Sequence, residues 1–159
     1  MRIALIASPF ISVPPTRYGG TELFIAHLAE GLEQRGIEVV VYCNGESKVN
    51  AEKRSCYPEA EWPLSTESSG MLKELDHVSW SIEDAAGMCD LIHINSASAI
   101  TYSRYVSTPF VCTLHHPEES SLTRIYERYP EINYAAISEY QASAHPSLAV
   151  TTIHHGIDL

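Results

Sequence analysis

The residues able to do chemistry in this chain of 159 residues sit where apolar runs end. A glycine pair, Gly19-Gly20, closes a long loop just before an amphipathic stretch. Glycines at such a place let a backbone approach a ligand closely, and the free N–H groups of a helix start favour an anion such as phosphate. Two adjacent glycines also mark an ordinary turn. His115-His116 follows the run Pro109 to Leu114. A histidine there can bond a sugar hydroxyl, a phosphate or a peptide carbonyl and titrates near neutrality, or it is a loop histidine satisfied by neighbouring backbone. Asn95 ends the run Asp90 to Asn95 and is a better cleft candidate than His93, which lies inside the run and reads as a core residue. Ser138 opens Ser138-Glu139-Tyr140-Gln141, the spacing of a capping box, which accounts for its hydroxyl as an N-cap.

Several chemistries are disfavoured. Eight histidines are many for this length, yet His115 and His116 should point to opposite sides of a strand end, and no His-x-x-x-His is present on a helix. Metal binding is therefore not expected. The spacing Gly-x-Gly-x-x-Gly is missing after the first apolar run, which counts against an oxidoreductase. There is no Gly-x-Ser-x-Gly and no recognisable Cys/His pairing, so a hydrolase would lack its nucleophile. Cys43, Cys56, Cys89 and Cys112 have no CxxC spacing, and three of them lie in apolar runs, as reduced structural cysteines do. The net charge of −10, with only ten scattered Lys and Arg, argues against a nucleic-acid partner.

These groups must be positioned by elements that alternate along the chain. Arg2 to Ala7 and Ile37 to Tyr42 are nearly unbroken apolar runs of the kind buried on both faces in a parallel sheet. Between them the spacing predicts a helix with Phe24, Leu28, Gly31 and Leu32 toward the sheet, Glu22, Ala26 and Glu33 on the far side, and Gly36 as terminator. A loosely patterned stretch, Glu46 to Gly70, contains a short strand at Arg54 to Tyr57. A helix is expected over Leu72 to Met88, with Leu72, Leu75, Val78 or Ser79, Ile82 and Ala86 on one side. Strands at Asp90–Asn95, Pro109–Leu114, Tyr134–Ile137 and Val150–His154 alternate with helices at Ala97–Val106, Glu119–Tyr129 and after Ser138. The pattern predicts a three-layer αβα, Rossmann-like domain over residues 1–159 with a mostly parallel, doubly wound sheet, in which ligands bind beyond the carboxyl ends of the strands. The composition, 45% apolar and 19% charged, fits a soluble globular protein, and no stretch approaches a transmembrane helix. Because Met1-Arg2 leads straight into the first strand, a signal peptide is not expected and a cytoplasmic location is.

Taken together, Tyr18-Gly19-Gly20-Thr21-Glu22, the helix end Leu32 to Gly36, Asp90-Leu91-Ile92-His93, Thr113-Leu114-His115-His116, Ala136-Ile137-Ser138-Glu139 and His155-Gly156-Ile157-Asp158 resemble, in order and spacing, the amino-terminal half of a retaining glycosyltransferase of family 4 with the GT-B fold. The resemblance implies that Gly19 and Gly20, flanked by Tyr18 and Thr21, lie near the donor diphosphate and the acceptor. It also implies that His115 contacts the transferred sugar in the catalytic cleft. His116, Asn95 and Ser138 are the further substrate-binding candidates. Asn95 stands where the family usually has a second histidine, and His155 where it commonly has Asn. The implied activity is transfer of a sugar from a nucleotide-sugar donor to an acceptor with retention, without a metal or other cofactor. The donor-binding carboxy-terminal domain would lie outside this chain, leaving the fragment alone inactive. A stand-alone Rossmann-like binding module and half of a GT-B nucleotide-sugar epimerase are the rival readings.

Overall fold

The structure is a computed structural model that describes residues 1–62, 67–116 and 119–156. Positions 63–66 of the loosely patterned stretch, Pro117-Glu118 after the histidine pair and Ile157-Asp158-Leu159 of the last motif lie outside the described residues.

Among the described residues seven strands form one sheet: β1 (Arg2–Ile6), β2 (Glu38–Tyr42), β3 (Glu52–Arg54), β4 (Leu91–Ile94), β5 (Phe110–Leu114), β6 (Asn133–Ala136) and β7 (Val150–Thr152). Their spatial order is β3-β2-β1-β4-β5-β6-β7 and every pairing is parallel. Successive side chains point to opposite faces, which divides the core in two. Ile3, Leu5, Val39 and Val41 meet Ile25 and Ala29 of α1 (Gly20–Glu33) on one face. Ala4, Ile6, Ile92, Ile94, Cys112 and Leu114 share the other face with Val78, Ile82 and Ala85 of α2 (Glu67–Ala86), a 3-10 helix (Ala97–Arg104) and α3 (Ser120–Tyr126). A short α4 (Glu139–Ser143) completes the chain of helices. The result is the expected αβα sandwich. All four cysteines are free, and Cys56 is the exposed one.

From β1 the chain works outward through β2 to β3, then returns through α2 to β4 on the other side of β1. The order reverses between β1 and β4, and this switch point is where an open parallel sheet leaves a crevice.

Four sequence expectations need correction. The buried side of α1 is centred on Glu22, Ile25 and Ala29, with Phe24, Leu28 and Leu32 only half-buried at its flank. Glu22 was expected on the far side and is only 5% exposed. The cause is the loop Ser8–Tyr18, which folds over the start of the helix. In α2, Leu72 and Leu75 face outward, while His77, Val78, Ser81, Ile82 and Ala85 face in. The third strand is Glu52–Arg54 rather than Arg54–Tyr57, because Cys56 and Tyr57 turn toward α2: Cys56 Sγ lies 3.4 Å from His77 Nδ1 and the Tyr57 hydroxyl donates to Asp76 at 2.7 Å. The helix expected at Ala97–Val106 is wound as a 3-10 helix.

Candidate functional site

The site grows from the switch point. Beyond β1 the loop Ser8–Tyr18 is held by Asn44, which is fully buried: its Nδ2 donates to the Pro9 carbonyl at 3.2 Å and its Oδ1 accepts from the hydroxyls of Ser12 and Ser47. The Ser47 hydroxyl in turn accepts from the Val13 N–H at 2.9 Å. So tethered, the loop delivers Tyr18 and Gly19 to the start of α1. Gly19 is the N-cap, with φ 144°, a value that L side chains rarely adopt. A Cβ there would also stand 2.8 Å from both Glu22 Oε2 and Pro15 Cβ, so the position admits only glycine. Gly20 has open space around it and lies on the rim of a groove of about 710 Å³ between α1 and Ile153–Gly156. Thr21 is half-buried in the first turn.

Glu22, missed from sequence as a site residue, sits under this turn. Burial pushes its carboxyl above the ordinary 4.5, and the nearby Glu74 of α2 adds to the rise. The signal was available: an acidic residue in the first turn of a helix interacts favourably with the free N–H groups there.

Asn95 closes the switch point. Its Nδ2 donates to the Ile6 carbonyl at 3.2 Å, tying the end of β4 to the end of β1, and its Oδ1 accepts from His115 Nε2–H at 2.9 Å. Because an amide oxygen only accepts, this bond fixes the tautomer and leaves Nδ1 of His115 as the ring's acceptor. Burial holds the His115 imidazole down to about 4, and the positive forms of His155, His93 and His116 push the same way. His115 is therefore neutral at pH 7, with Nδ1 able to accept a hydrogen bond. The Phe24 ring lies edge-on to it at 5.2 Å and stacks on His155 at 4.3 Å, with His155 itself 5.7 Å from His115. His93 is buried beneath, 2.8 Å from the Thr113 hydroxyl, and burial lowers its pKa to about 4. From sequence, Phe24 is expected only as a sheet-facing helix residue, and His155 only as part of the last motif. They meet only because the chain after β7 folds back onto α1.

The structure thus brings Gly20, Asn95 and His115 to one edge, with Phe24 as the bridge. His116 points the other way, onto the Tyr126 hydroxyl, within 6.1 Å of His145. Its carbonyl accepts from Gln141 Nε2 at 2.9 Å. Ser138 Oγ accepts from Gln141 N at 3.1 Å as the N-cap of α4, so its hydroxyl is already in use. Tyr18 is 71% exposed and lies parallel to Trp62. Among the described residues no group of three His, Cys, Asp or Glu side chains is arranged to hold a metal, and no helix is long and apolar enough to cross a membrane.

Comparison with solved structures finds the same fold. AviGT4, a glycosyltransferase involved in Avilamycin A biosynthesis, superposes with a TM-score of 0.58 at 21% identity, over 99% of this chain and 42% of its own. Anabaena Alr3699/HepE in complex with UDP-glucose gives 0.64 at 17% identity, over 99% of this chain and 44% of its own. The same protein in complex with UDP and glucose gives 0.62 at 17%, over 98% and 45%. The chain thus spans less than half the length of these structures. No curated protein matches the sequence. The family Glycosyltransferase Family 4 matches residues 18–159, from Tyr18 before the glycine pair to the end of the chain, and the chain therefore belongs to Glycosyltransferase Family 4.

Proposed function

We propose that the chain is the amino-terminal, acceptor-side domain of a cytoplasmic glycosyltransferase that moves a sugar from a nucleotide-sugar donor to an acceptor with retention. A second Rossmann-like domain would supply most donor contacts. The observation that carries this reading is the link from Ile6 through Asn95 to His115 across the switch point. It presents a neutral imidazole at the edge where the glycine-started helix α1 also begins. The Anabaena protein's complexes with UDP and with UDP-glucose support a nucleotide-sugar donor, and the coverage of less than half of each matched structure supports a second domain.

In this reading Tyr18, Gly19, Gly20 and Thr21 form the wall against which donor and acceptor meet. His115 bonds a hydroxyl of the transferred sugar, and that bond strengthens as the anomeric carbon becomes positive. His116 and Ser138 act from behind by fixing the strand ends. No metal takes part, so a chelator leaves turnover unchanged. The test is turnover of nucleotide sugars by the full-length protein, with the anomeric configuration of the product read by NMR. Inverted product would overturn retention, and hydrolysis or transfer by residues 1–159 alone would overturn the division of labour. Calorimetry on residues 1–159 should find nucleotide-sugar binding weaker than micromolar, that is, weaker than about −8 kcal/mol.

A further inference from the structure

We propose that Tyr18 and Trp62 form an aromatic platform that binds the acceptor through the C–H face of a pyranose ring, so that the acceptor is a glycan or glycoside. This rests on the glycosyltransferase reading above and adds to it Trp62, a residue that neither motif nor family match singles out. The two rings lie 12° from parallel with centroids 6.0 Å apart. Rings in direct face-to-face contact stand nearer, so neither ring fully covers the other. Their exposures, 71% for Tyr18 and 56% for Trp62, agree.

Large flat rings left in water are unfavourable unless something covers them. What covers these is indicated by the surroundings. The platform stands beyond the carboxyl ends of β1 and β3, on two loops joined by the Glu61 N–H to Phe10 carbonyl bond at 2.9 Å. Tyr18 immediately precedes Gly19, the N-cap of α1, and Phe24 of the same helix touches His115. A ring stacked on Tyr18 is therefore held at the same sheet edge as the candidate transfer site. Polar side chains adjoin the two rings in sequence: Thr16 and Arg17 before Tyr18, and before Trp62 Glu61, which is paired with Lys73. This combination of flat faces bordered by hydrogen-bonding groups suits a sugar, whose C–H bonds carry partial positive charge and favour the negative face of an aromatic ring. It does not suit an anionic lipid surface, which requires clustered cations. The chain carries a net charge of −10, and the nearby Lys73 is already paired.

The experiment uses intrinsic fluorescence. The protein has two tryptophans, and Trp80→Phe leaves Trp62 as sole reporter. The probes are methyl β-glucopyranoside and cellobiose, with sorbitol as an open-chain polyol of similar hydroxyl content and phosphatidylglycerol vesicles as the lipid probe. The expected result is a saturable change with both glycosides and none with sorbitol. Followed by ligand-observed NMR, glycoside affinity should fall about ten-fold or more in Trp62→Leu and Tyr18→Leu and be largely kept in Trp62→Phe, since a flat ring and not mere apolarity is needed. Equal binding by Trp62→Leu, a response shared by sorbitol, or a response to vesicles alone would overturn the proposal; the vesicle arm matters because Met71 and Leu72 of α2 are also exposed. Transfer by the full-length protein with an unchanged acceptor KM in Trp62→Leu would sink the platform and leave the enzyme standing. Glycoside binding through Trp62 without any transfer would do the reverse.

Discussion

His115 and His116 are neighbours in sequence and lie on opposite faces of the same strand end, and their surroundings differ in kind. His116 belongs to a closed set: its ring meets the Tyr126 hydroxyl, and Tyr126 packs at 5.5 Å on Tyr134, whose hydroxyl donates to the carbonyls of Tyr126 and Tyr129. His145 donates from Nδ1 to the Thr123 hydroxyl, which itself donates to the Glu119 carbonyl. The hydrogen bonds of this set run between protein groups. His115 belongs to an open set: Nε2 is fixed by Asn95, while Phe24 and the exposed His155 border a groove. The difference teaches that a single step along the strand separates a histidine bound into the fold from one at the open edge of the sheet.

The comparison breaks first in stability. Tyr126→Ala in the closed set should cost about 3–5 kcal/mol, the range for deleting a buried aromatic ring, whereas Phe24→Ala in the open set should cost about 1–2 kcal/mol because its ring is only half-buried. Denaturant titration of both checks this, and equal losses would mean that the groove side is as closed as the core side. Kinetics sharpen the same contrast. In the full-length protein His115→Ala should lower kcat/KM by about 1.5–4 kcal/mol, roughly ten- to a thousand-fold, with little change in melting temperature. His116→Ala should instead cost about 1–3 kcal/mol of stability and leave the kinetics of the folded fraction intact. The same kinetic loss in both variants would remove the distinction.

Most of this frame is legible in the amino-acid sequence. Parallel strands buried on both faces read as continuous apolar runs, and β1, β2, β4 and β5 appear where those runs lie. Strand ends pointed to Asn95 and His115, since the crevice position follows from topology alone. What was not legible depends on chain closure. Periodicity gave the mean direction of α1 and α2 but not which neighbour would cover each side, so Glu22 was put outside and Leu72 inside. The meeting of Phe24 with His155, and of Tyr18 with Trp62, joins segments far apart in sequence through loops with no repeating pattern. The short charged strand Glu52–Arg54 was missed because its stability comes from pairing with β2 and from the ion pairs Arg2–Glu52 and Arg54–Asp84, not from apolar content.

A finer comparison lies within the glycine pair. Gly19→Ala should cost about 2–4 kcal/mol, combining a disfavoured φ with the overlap on Pro15 and Glu22. Gly20→Ala meets open space at the first helical position and should be neutral or stabilise by up to about 1 kcal/mol, since alanine favours the helix and restricts the unfolded chain. Thermal melts decide. If both variants lose stability alike, the loop is not held as described.

The pH dependence of stability sets Glu22 against His115 at the same edge. The His115 imidazole is lowered from its ordinary 6.5 to about 4 in the fold, so acid protonates it first in the unfolded chain. Its contribution to stability is complete above pH 6.5 and is lost as pH falls toward 4. Glu22 has the opposite sign. Its folded pKa is raised above 4.5 by burial, with Glu74 adding to it, so its contribution is present below pH 4.5 and is lost as pH rises through the folded value. Glu22→Gln keeps the shape and removes the charge, and should therefore stabilise at neutral pH. The gain stays under about 1 kcal/mol, because the carboxylate's favourable interaction with the start of α1, roughly 0.3–1 kcal/mol, disappears together with its desolvation cost. At pH 4 the advantage should vanish, since both states of the wild type then carry a largely neutral Glu22. His115→Gln should flatten the fall in melting temperature between pH 6.5 and 4, each group contributing at most about 1.4 kcal/mol per pH unit. Melting curves of the two variants across that window test the pair, and a Glu22→Gln variant less stable than wild type at neutral pH would show that the carboxylate holds the glycine turn through its charge.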